Sequence, residues 1–264
     1  MAALKTWLIS RKAGFEMKRR LLSAGPQRLA IAQEFCATDQ HESVLATAHH
    51  WLASLVIVRE GQLGFRDARG ARPMQAPRFL LYLPAGALVR MPLWAARVET
   101  VGISAAHSPP GWPTLPVAVP CTLTPESVLD EQALAAVLQH ASPTEHRIDA
   151  ERGHPARLRR QRAALYQQAL RPSPVSRVVR DFDLSMAVFS RTFHAAFGLS
   201  PRDYCQRVRV HAAVVSLLGG LSIAHAALDS GWQDLSRFYR QFRSATGQTP
   251  GRYRGASAPR DRVK

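Results

Sequence analysis

The pattern of apolar positions changes near residue 150 and divides the chain into two parts. In the first part, apolar and β-branched residues come in short runs separated by glycine or proline, which is typical of strands joined by tight turns. The runs lie at residues 51–67, 78–91 and 96–104. We predict a hairpin turn at Glu60-Gly61 and a second turn at Pro84-Ala85-Gly86. The proline-rich residues 107–125 can form only loop or edge strand, so this part is predicted to be a small β-barrel or jelly roll.

One helix is predicted after these strands. Residues 125–141 begin with proline and carry acidic residues in their early turns, as helix N-termini often do. Its apolar face would consist of Val128, Leu129, Leu134 and Leu138. That face could cover the barrel or form a dimer contact, and the sequence leaves both alternatives open.

After Pro155 the apolar spacing is helical to the end of the chain. A basic helix is predicted first, then a short helix, then a longer one that ends at Gly198. A long helix follows from Pro201, since proline is favoured at the first helical position. Residues 222–247 repeat the plan of a short helix, a turn and a longer helix.

The repetition extends to individual residues. The stretches FSRTFHAAFGLSPRDY (189–204) and FYRQFRSATGQTPGRY (238–253) share phenylalanine, arginine, glycine, proline and tyrosine at positions 49 residues apart. At 100° per residue, Phe189 and Phe193 lie on one helical face and Arg191 lies on the opposite face. Each copy is therefore predicted to be an amphipathic helix that buries its phenylalanines and exposes an arginine.

A short helix and a turn precede each copy, so the pattern is that of two helical hairpins. Gly231 in the second turn can take the positive φ that a sharp corner favours. A pair of hairpins without any partner is the simpler alternative. The equal register of the copies and their cationic outer faces argue against that alternative.

Charge is unevenly distributed along the chain. The formal net charge is +16, and residues 151–264 hold 20 Lys or Arg against 7 Asp or Glu. A basic second part behind a nearly neutral first part indicates that the second part binds a polyanion. A charge that only increases solubility is the alternative. Most of these cations are arginines, whose planar fork suits phosphates and base edges.

The remaining composition narrows the class of protein. Cys36, Cys121 and Cys205 are odd in number and far apart, which predicts neither disulfides nor a zinc site. No run approaches the roughly 20 apolar residues of a membrane helix, and the basic N-terminus lacks a signal-peptide pattern. Residues 1–20 are predicted to be a mobile basic arm. Because the residues before Met17 show no clear pattern, Met17 is an alternative first residue.

Residues 155–254 resemble the DNA-binding domain of AraC/XylS-type transcriptional regulators. The second repeat carries the closer resemblance, through Ile223, Ala227, Gly231, Ser236, Phe238, Arg240, Phe242, Gly247, Pro250, Tyr253 and Arg254. The long helix adds Tyr204, Arg209, Ala213 and Leu217. The first repeat is more divergent, with Val178 in place of the usual alanine and Phe182-Asp183 in place of a glycine-containing turn. Residues 30–140 resemble the family's cupin-like N-terminal domain more weakly.

The resemblance implies two helix-turn-helix units held apart by the helix at 201–218. Each recognition helix would enter a major groove on one face of duplex DNA, with adjacent grooves about 34 Å apart. One monomer would therefore read a bipartite, non-palindromic site. The implied DNA-binding residues are Ser185, Ala187, Ser190, Arg191, His194, Gln233, Ser236, Arg237, Arg240 and Arg243. Each arginine could instead contact a phosphate or an internal carboxylate.

The second recognition helix should supply more of the polar base contacts. Arginine can bond guanine in bidentate fashion, whereas a small residue such as Ala187 can only pack against a thymine methyl. Arg191 and Arg240 are shared by the copies, so they are expected to anchor both units.

The first part could bind an effector, dimerise, or act as an enzyme. A metal-dependent barrel enzyme is the alternative function, but His49, His50 and His107 do not form a metal-ligand pattern within the strands. An anionic effector could bind some of the barrel arginines, Arg59, Arg66, Arg78, Arg90 and Arg97. Solvent exposure of these arginines is the competing interpretation.

The sequence thus predicts an α+β chain of several parts: a mobile arm (1–20), a cupin-like β-barrel with flanking helices (21–140), a linker (141–154), an all-α tandem helix-turn-helix domain (155–254) and a disordered tail (255–264). We expect a bacterial, cytoplasmic transcription regulator rather than an enzyme, with no cofactor and no metal. Its expected partners are promoter DNA, RNA polymerase if it activates transcription, a small-molecule effector and a second copy. No membrane association is expected.

Overall fold

The structure, a computed structural model, describes residues 8–24, 28–142, 145–171 and 174–257. The strands are β1 (Leu8–Lys12), β2 (Phe15–Ala24), β3 (Arg28–Ala37), β4 (Gln40–Ala46), β5 (Trp51–Asp67), β6 (Gly70–Pro73), β7 (Arg78–Leu83), β8 (Leu88–Ala105) and β9 (Val117–Pro120). The helices are α1 (Glu131–Gln139), α2 (Ala156–Ala169), α3 (Val175–Arg180), α4 (Met186–Phe197), α5 (Pro201–Leu218), α6 (Ile223–Asp229), α7 (Leu235–Thr246) and α8 (Pro250–Ser257). An N-terminal antiparallel sheet domain therefore precedes a C-terminal helical domain.

Two long strands form the centre of the sheet. The main path runs β1-β2-β3-β8-β5-β7-β9, while β4 pairs with β8 and β6 pairs with β5. All of these pairings are antiparallel. The short β9 forms one end of the path, which agrees with the edge-strand prediction for the proline-rich segment.

The predicted hairpin at Glu60-Gly61 is wrong, because β5 continues through it as one strand. The register with β8 shifts at Glu60, and Gly61 has a φ of +66°. Glycine in that conformation is characteristic of a bulge, which bends a strand without ending it. Similarly, the strand predicted after the turn at Pro84-Ala85-Gly86 and the run at 96–104 are not separate strands. They form one strand, since β8 extends continuously from Leu88 to Ala105.

The predicted mobile arm at 1–20 also needs correction. From Leu8 onward the chain forms β1 and β2, and Leu8 pairs with Arg19 across the two strands. β2 then pairs with β3 over most of its length, so Met17 lies inside a paired strand. Residues 1–7 lie outside the described part.

Helix α1 covers the sheet with its apolar face. It begins at Glu131 rather than Pro125, after a 3-10 turn at Ser127–Leu129, and the carboxylate of Asp130 accepts a hydrogen bond from the backbone N–H of Gln132 at 3.0 Å. Val128, Leu134 and Leu138 are buried in a cluster with Trp51 and Tyr82 of the sheet. The sequence left open whether this face covers the barrel or forms a dimer contact, and the structure shows that it covers the sheet.

The described part of the predicted linker at 141–154 packs against the sheet domain. Ile148, Asp149 and Ala150 are buried, and the backbone N–H of Ala150 donates to the carbonyl of Leu88 at 3.0 Å. Asp149 forms an ion pair with Arg147. This packing fixes the point at which the chain enters the helical domain.

The helical domain is built around α5. Its N-terminal half packs with Phe189, Phe193 and Phe197 of α4, and its C-terminal half packs with Phe238 and Phe242 of α7. Residues of β2, β3 and β4 enter the same two clusters. The two domains therefore share hydrophobic cores through α5. Gly255–Ser257 of the predicted disordered tail belong to α8, and the remainder lies outside the described residues.

We predict that Gly61→Ala destabilises the protein more than Gly111→Ala. Both glycines have positive φ, at +66° and +82°, so both substitutions should cost about 1 kcal/mol in backbone strain. A Cβ at Gly61 would also collide with the carbonyls of Trp94 and Ala95, whereas Gly111 faces open space. The expected loss at Gly61 is about 3 kcal/mol or more, measured by urea denaturation. Equal losses in the two variants would contradict the bulge assignment.

Candidate nucleic-acid interface

Two helix pairs in the helical domain have the same plan, a short helix followed by a longer one. The first pair is α3 with α4, and the second pair is α6 with α7. Both longer helices contain 12 residues and end at a glycine with a φ of +74°, Gly198 and Gly247. Because these glycines are left-handed C-caps, they stop both helices at equivalent positions. The 49-residue repeat seen in the sequence is therefore also a repeat in structure.

Aromatic packing supports each longer helix from behind. The ring of Phe193 lies 5.8 Å from that of Tyr204, and the ring of Phe242 lies 5.1 Å from that of Tyr253. All four side chains are buried. The phenylalanines and tyrosines common to the two copies are thus scaffold residues, as the helical spacing predicts.

The turns of the two pairs use different residues at the same length. In the second pair Gly231 has a φ of +80°, while in the first pair Asp183 has a φ of +52°. Asp tolerates the left-handed region better than most residues because its short side chain can bond locally. The first pair therefore places its left-handed residue one position later than the second pair does, at an aspartate instead of a glycine.

The predicted DNA-binding residues lie on the outer sides of α4 and α7 and at their N-terminal ends. All are exposed except Ser190, which is half-buried; the exposed ones are Ser185, Ala187, Arg191, His194, Gln233, Ser236, Arg237, Arg240 and Arg243. Ser185 also caps α4, since its hydroxyl accepts a hydrogen bond from the N–H of Val188 at 3.3 Å. Asp234 caps α7 in the same way through Ser236 and Arg237.

The two outer faces differ in chemistry. Around Arg191, α4 exposes the small or apolar Ala187, Val188 and Ala195. α7 exposes three arginines, and within the described part of the chain no carboxylate forms an ion pair with any of them. Their guanidinium groups are therefore available to an external anion.

Sequence reasoning missed two exposed side chains beside this face, Tyr239 and Leu235, which are 40% and 49% exposed. Tyr239 lies about 100° from Phe238 around α7 and four residues before Arg243. The same helical-wheel argument that selected Arg243 could have found it.

A second site lies where α5 meets the sheet. The sheet domain encloses a cavity of about 110 Å³ whose walls are mostly apolar. His211, Val214 and Val215 of α5 form part of its wall, and Arg19 of β2 also lines it. The Nε of Arg19 is buried and has no hydrogen-bond partner among the described residues.

None of the five arginines suggested for an anionic effector lines this cavity. Four of them pair with carboxylates of the sheet domain: Arg59 with Glu99, Arg66 and Arg90 with Glu42, and Arg97 with Glu60. The cation that does face the cavity belongs to the segment predicted as a mobile arm. No pattern in the sequence indicated that Arg19 lines the cavity, because its position depends on the pairing of β2.

Histidines cluster around the same junction. His211 accepts a hydrogen bond at Nδ1 from the backbone N–H of Ala48 at 3.0 Å, and the rings of His49 and His50 lie 4.3 Å apart. Burial, reinforced by the positive charge of Arg19, lowers the pKa of His211 to about 3. Burial and the neighbouring histidines lower the pKa of His50 to about 4. Within the described residues, no group of three or more His, Cys, Asp or Glu side chains is arranged to hold a metal ion.

No helix in the described ranges combines the length and the apolar character that crossing a bilayer requires.

Comparison with known proteins identifies the helical domain. Residues 178–256 match the model of a helix-turn-helix domain family. The virulence regulon transcriptional activator VirF of Yersinia enterocolitica is 31% identical over 81 residues, which is 30% of this chain and 30% of VirF. Residues 178–256 therefore form a helix-turn-helix domain. The matched part spans less than a third of the length of this curated relative.

Solved structures of similar proteins cover either the helix-turn-helix domain or most of the chain. A probable AraC family transcriptional regulator from Rhodopseudomonas palustris is 24% identical, covering 39% of this chain and 97% of that chain, with a TM-score of 0.35. ToxT from Vibrio cholerae is 9% identical, covering 92% of this chain and 98% of that chain, with a TM-score of 0.46.

We predict that the free energy of unfolding decreases as the pH falls from about 6.5 towards 4. The pKa values of His49, His50 and His211 are lower in the folded protein than the ordinary value of 6.5. In this window the unfolded chain binds protons that the folded chain does not, so acid favours unfolding. His211→Gln should make the decrease smaller, because the amide oxygen can still accept from Ala48 but does not titrate.

Urea denaturation at about pH 7 and about pH 5 measures this difference. His140→Gln, at an exposed position of the sheet domain, is the matched control. A pH dependence that His211→Gln leaves unchanged would show that this histidine does not contribute.

Proposed function

We propose that this protein is a sequence-specific DNA-binding transcriptional regulator of bacteria that responds to a small-molecule effector. The observation that carries the proposal is the pair of equivalent helices, α4 and α7, in a domain of the AraC/XylS helix-turn-helix type. α4 exposes Arg191 and α7 exposes three arginines, and none of these has a carboxylate partner among the residues that the structure describes. The similarity of this domain to part of VirF favours this function over a barrel enzyme with a basic helical appendage.

The proposed mode of binding uses both helix pairs as helix-turn-helix units. α5, with 18 residues, is about 27 Å long and separates the units. Major grooves on one face of duplex DNA recur about every 34 Å, so α4 and α7 would enter adjacent grooves. One monomer would then read a bipartite site whose halves differ in sequence.

The proposed readout is unequal in the two halves. On α7, Arg237, Arg240 and Arg243 would supply bidentate bonds to guanine or contacts to phosphates. On α4, Ala187 and Val188 would pack against thymine methyl groups. Arg191 and Arg240, which occupy equivalent positions, would anchor both helices.

The sheet domain is proposed to be a cupin-like barrel whose cavity receives the effector. Its apolar walls favour an apolar body, and Arg19, which is half-buried with its Nε fully buried, offers a cation to an acidic group. Because α5 forms part of the wall, an occupant would contact the helix that carries both DNA-reading units.

Two further partners belong to the proposal. RNA polymerase would be contacted if the protein activates transcription, and a second copy could associate to form a dimer. The apolar face of α1 already packs on the sheet, so a dimer would have to use another surface. The place of action would be the cytoplasm, where promoter DNA is found.

We expect the protein to select a duplex DNA site from a random pool and to lose affinity steeply as salt rises, because each phosphate contact releases counterions. Arg237→Ala and Arg240→Ala should each weaken binding to the selected site by about 5-fold to 150-fold. Ala187→Gly and Ser190→Ala should have smaller effects. Gel shifts at several salt concentrations measure both properties.

Arg59→Ala is the control for loss of one positive charge, because Arg59 lies on the sheet domain and pairs with Glu99. Failure to select any duplex would overturn the proposed function. Larger losses at Ala187 and Ser190 than at the α7 arginines would overturn the unequal readout.

For the effector, we expect a small acidic compound to raise the melting temperature of the wild-type protein but not of Arg19→Gln. A ligand that binds only the folded state stabilises it by RT ln(1 + L/Kd), where L is the concentration of free ligand, and each kcal/mol of stabilisation raises the melting temperature by about 2–4 °C for a chain of this size. A thermal-shift screen of small organic acids and sugars provides the measurement, with Arg97→Gln as a control outside the cavity. A screen in which no compound stabilises the protein, or in which Arg19→Gln responds like the wild type, would contradict this site.

A further inference from the structure

The helix that precedes the first helix pair, α2, contacts the second helix pair directly. The C-terminal end of α2, next to the first pair, approaches the turn of the second pair. A Cβ at Gly231 would lie 2.8 Å from the carbonyl carbon and oxygen of Leu170. Only glycine permits this approach, and its φ of +80° also suits glycine. The contact therefore depends on the shape of both backbones.

Arg209 connects both sides of this contact. From α5 its Nε donates to the carbonyl of Ala169 at 2.5 Å, and its guanidinium also donates to the carbonyl of Arg171 at 3.0 Å. Carbonyls at a helix C-terminus carry partial negative charge, which a cation stabilises. Through these bonds Arg209 holds the end of α2.

The same guanidinium also contacts the second pair. Its central carbon lies 5.7 Å from the centroid of the Trp232 ring, within the range of a cation–π interaction. The Trp232 ring in turn lies 5.8 Å from that of Phe238 on the buried side of α7. Arg209 thus bridges the end of α2 and the support of the second DNA-facing helix.

A connecting helix alone does not fix the relative orientation of two units. It sets their separation along its axis, but a unit packed only against that helix can still rock around it. A second contact away from the axis removes this freedom. Leu170, Arg209, Gly231 and Trp232 form such a contact, and we call these four residues the brace.

We propose that Arg209 is a positioning residue that, through the brace, sets the angle between α4 and α7 and so determines which half-site spacing the protein accepts. The proposal rests on the proposed DNA-binding function. One inserted base pair increases the separation of the half-sites by about 3.4 Å and rotates one relative to the other by about 35° around the DNA axis. A rigid pair of reading helices cannot follow that rotation, whereas a loosened pair can do so at small cost.

The test measures spacing preference with the full-length protein. Wild type, Arg209→Ala and Arg209→Lys are titrated with the selected duplex and with duplexes that have one base pair added or removed between the half-sites. The wild type should bind the altered spacings at least about 30-fold more weakly, comparable with the loss of specific base contacts. For Arg209→Ala this ratio should fall below about 5-fold, with Arg209→Lys in between, because lysine cannot donate in a fork.

Arg202→Ala is the matched control. It removes an exposed arginine from the first turn of the same helix, and the spacing ratio should stay at the wild-type value. If Arg209 supported only the fold or bound a phosphate, its loss would weaken binding to all spacings by the same factor. An unchanged ratio, with or without a uniform loss of affinity, overturns the proposal.

A second measurement does not depend on DNA. Spin labels at Ala195→Cys and Ser244→Cys, with Cys36→Ser and Cys121→Ser, report the distance between the outer faces of α4 and α7. Arg209→Lys should broaden the distance distribution, and an unchanged width overturns the brace even if DNA binding is confirmed. A broadened distribution in a protein that selects no duplex would instead support the brace as a contact and refute the DNA-binding function, and with it the role in spacing.

Discussion

The burial of α5 on nearly all sides is the constraint on which the rest of the structure depends. Tyr204 near its start is completely buried, and burial raises the pKa of its hydroxyl to about 12. Arg162 of α2 donates to that hydroxyl at 3.1 Å and to the carbonyl of Gly86 at 2.7 Å. A helix with apolar residues on several sides must be enclosed, and here the first helix pair, the second helix pair and the sheet each cover one side of it.

This enclosure explains why the sheet domain and the helices α4 and α5 are not independent. Arg90 of β8 pairs with Glu42 and also donates to the carbonyl of Ala196 at the end of α4, at 3.4 Å. Arg207 of α5 donates to the carbonyl of Val44 in β4 at 3.0 Å. The sheet therefore holds α4 and α5 by directed bonds as well as by apolar packing.

The helical domain could be predicted from sequence at the level of single elements, because its signals are local. Gly198 and Gly247, both left-handed, end helices, and Pro201 and Pro250 begin helices. Each of these signals acts within one helical turn of its own position. The helical period of 3.6 residues predicted which side of each helix is buried, and therefore which arginines of α4 and α7 lie on the outer side. The brace was not predictable, since Arg209 meets Leu170 and Trp232 only after the helices have packed.

The sheet domain was harder to predict because strand partners are set by contacts distant in sequence. Glu60-Gly61 has the composition of a hairpin turn, and only pairing with β8 makes it a bulge. Arg19 was assigned to a mobile arm for the same reason, since its place beside the cavity depends on the pairing of β2 with β3. The interior of this domain thus lay beyond what periodicity can reveal.

The match between α4 and α7 has a consequence for how such a protein can change over evolutionary time. Stability is carried by the buried phenylalanines and tyrosines and by the capping glycines, while several differences between the copies, such as Val188 against Arg237, fall on exposed positions. Substitutions at exposed positions usually alter folding free energy by no more than about 0.5 kcal/mol. The exposed faces of α4 and α7 can therefore change independently of each other while the fold is kept.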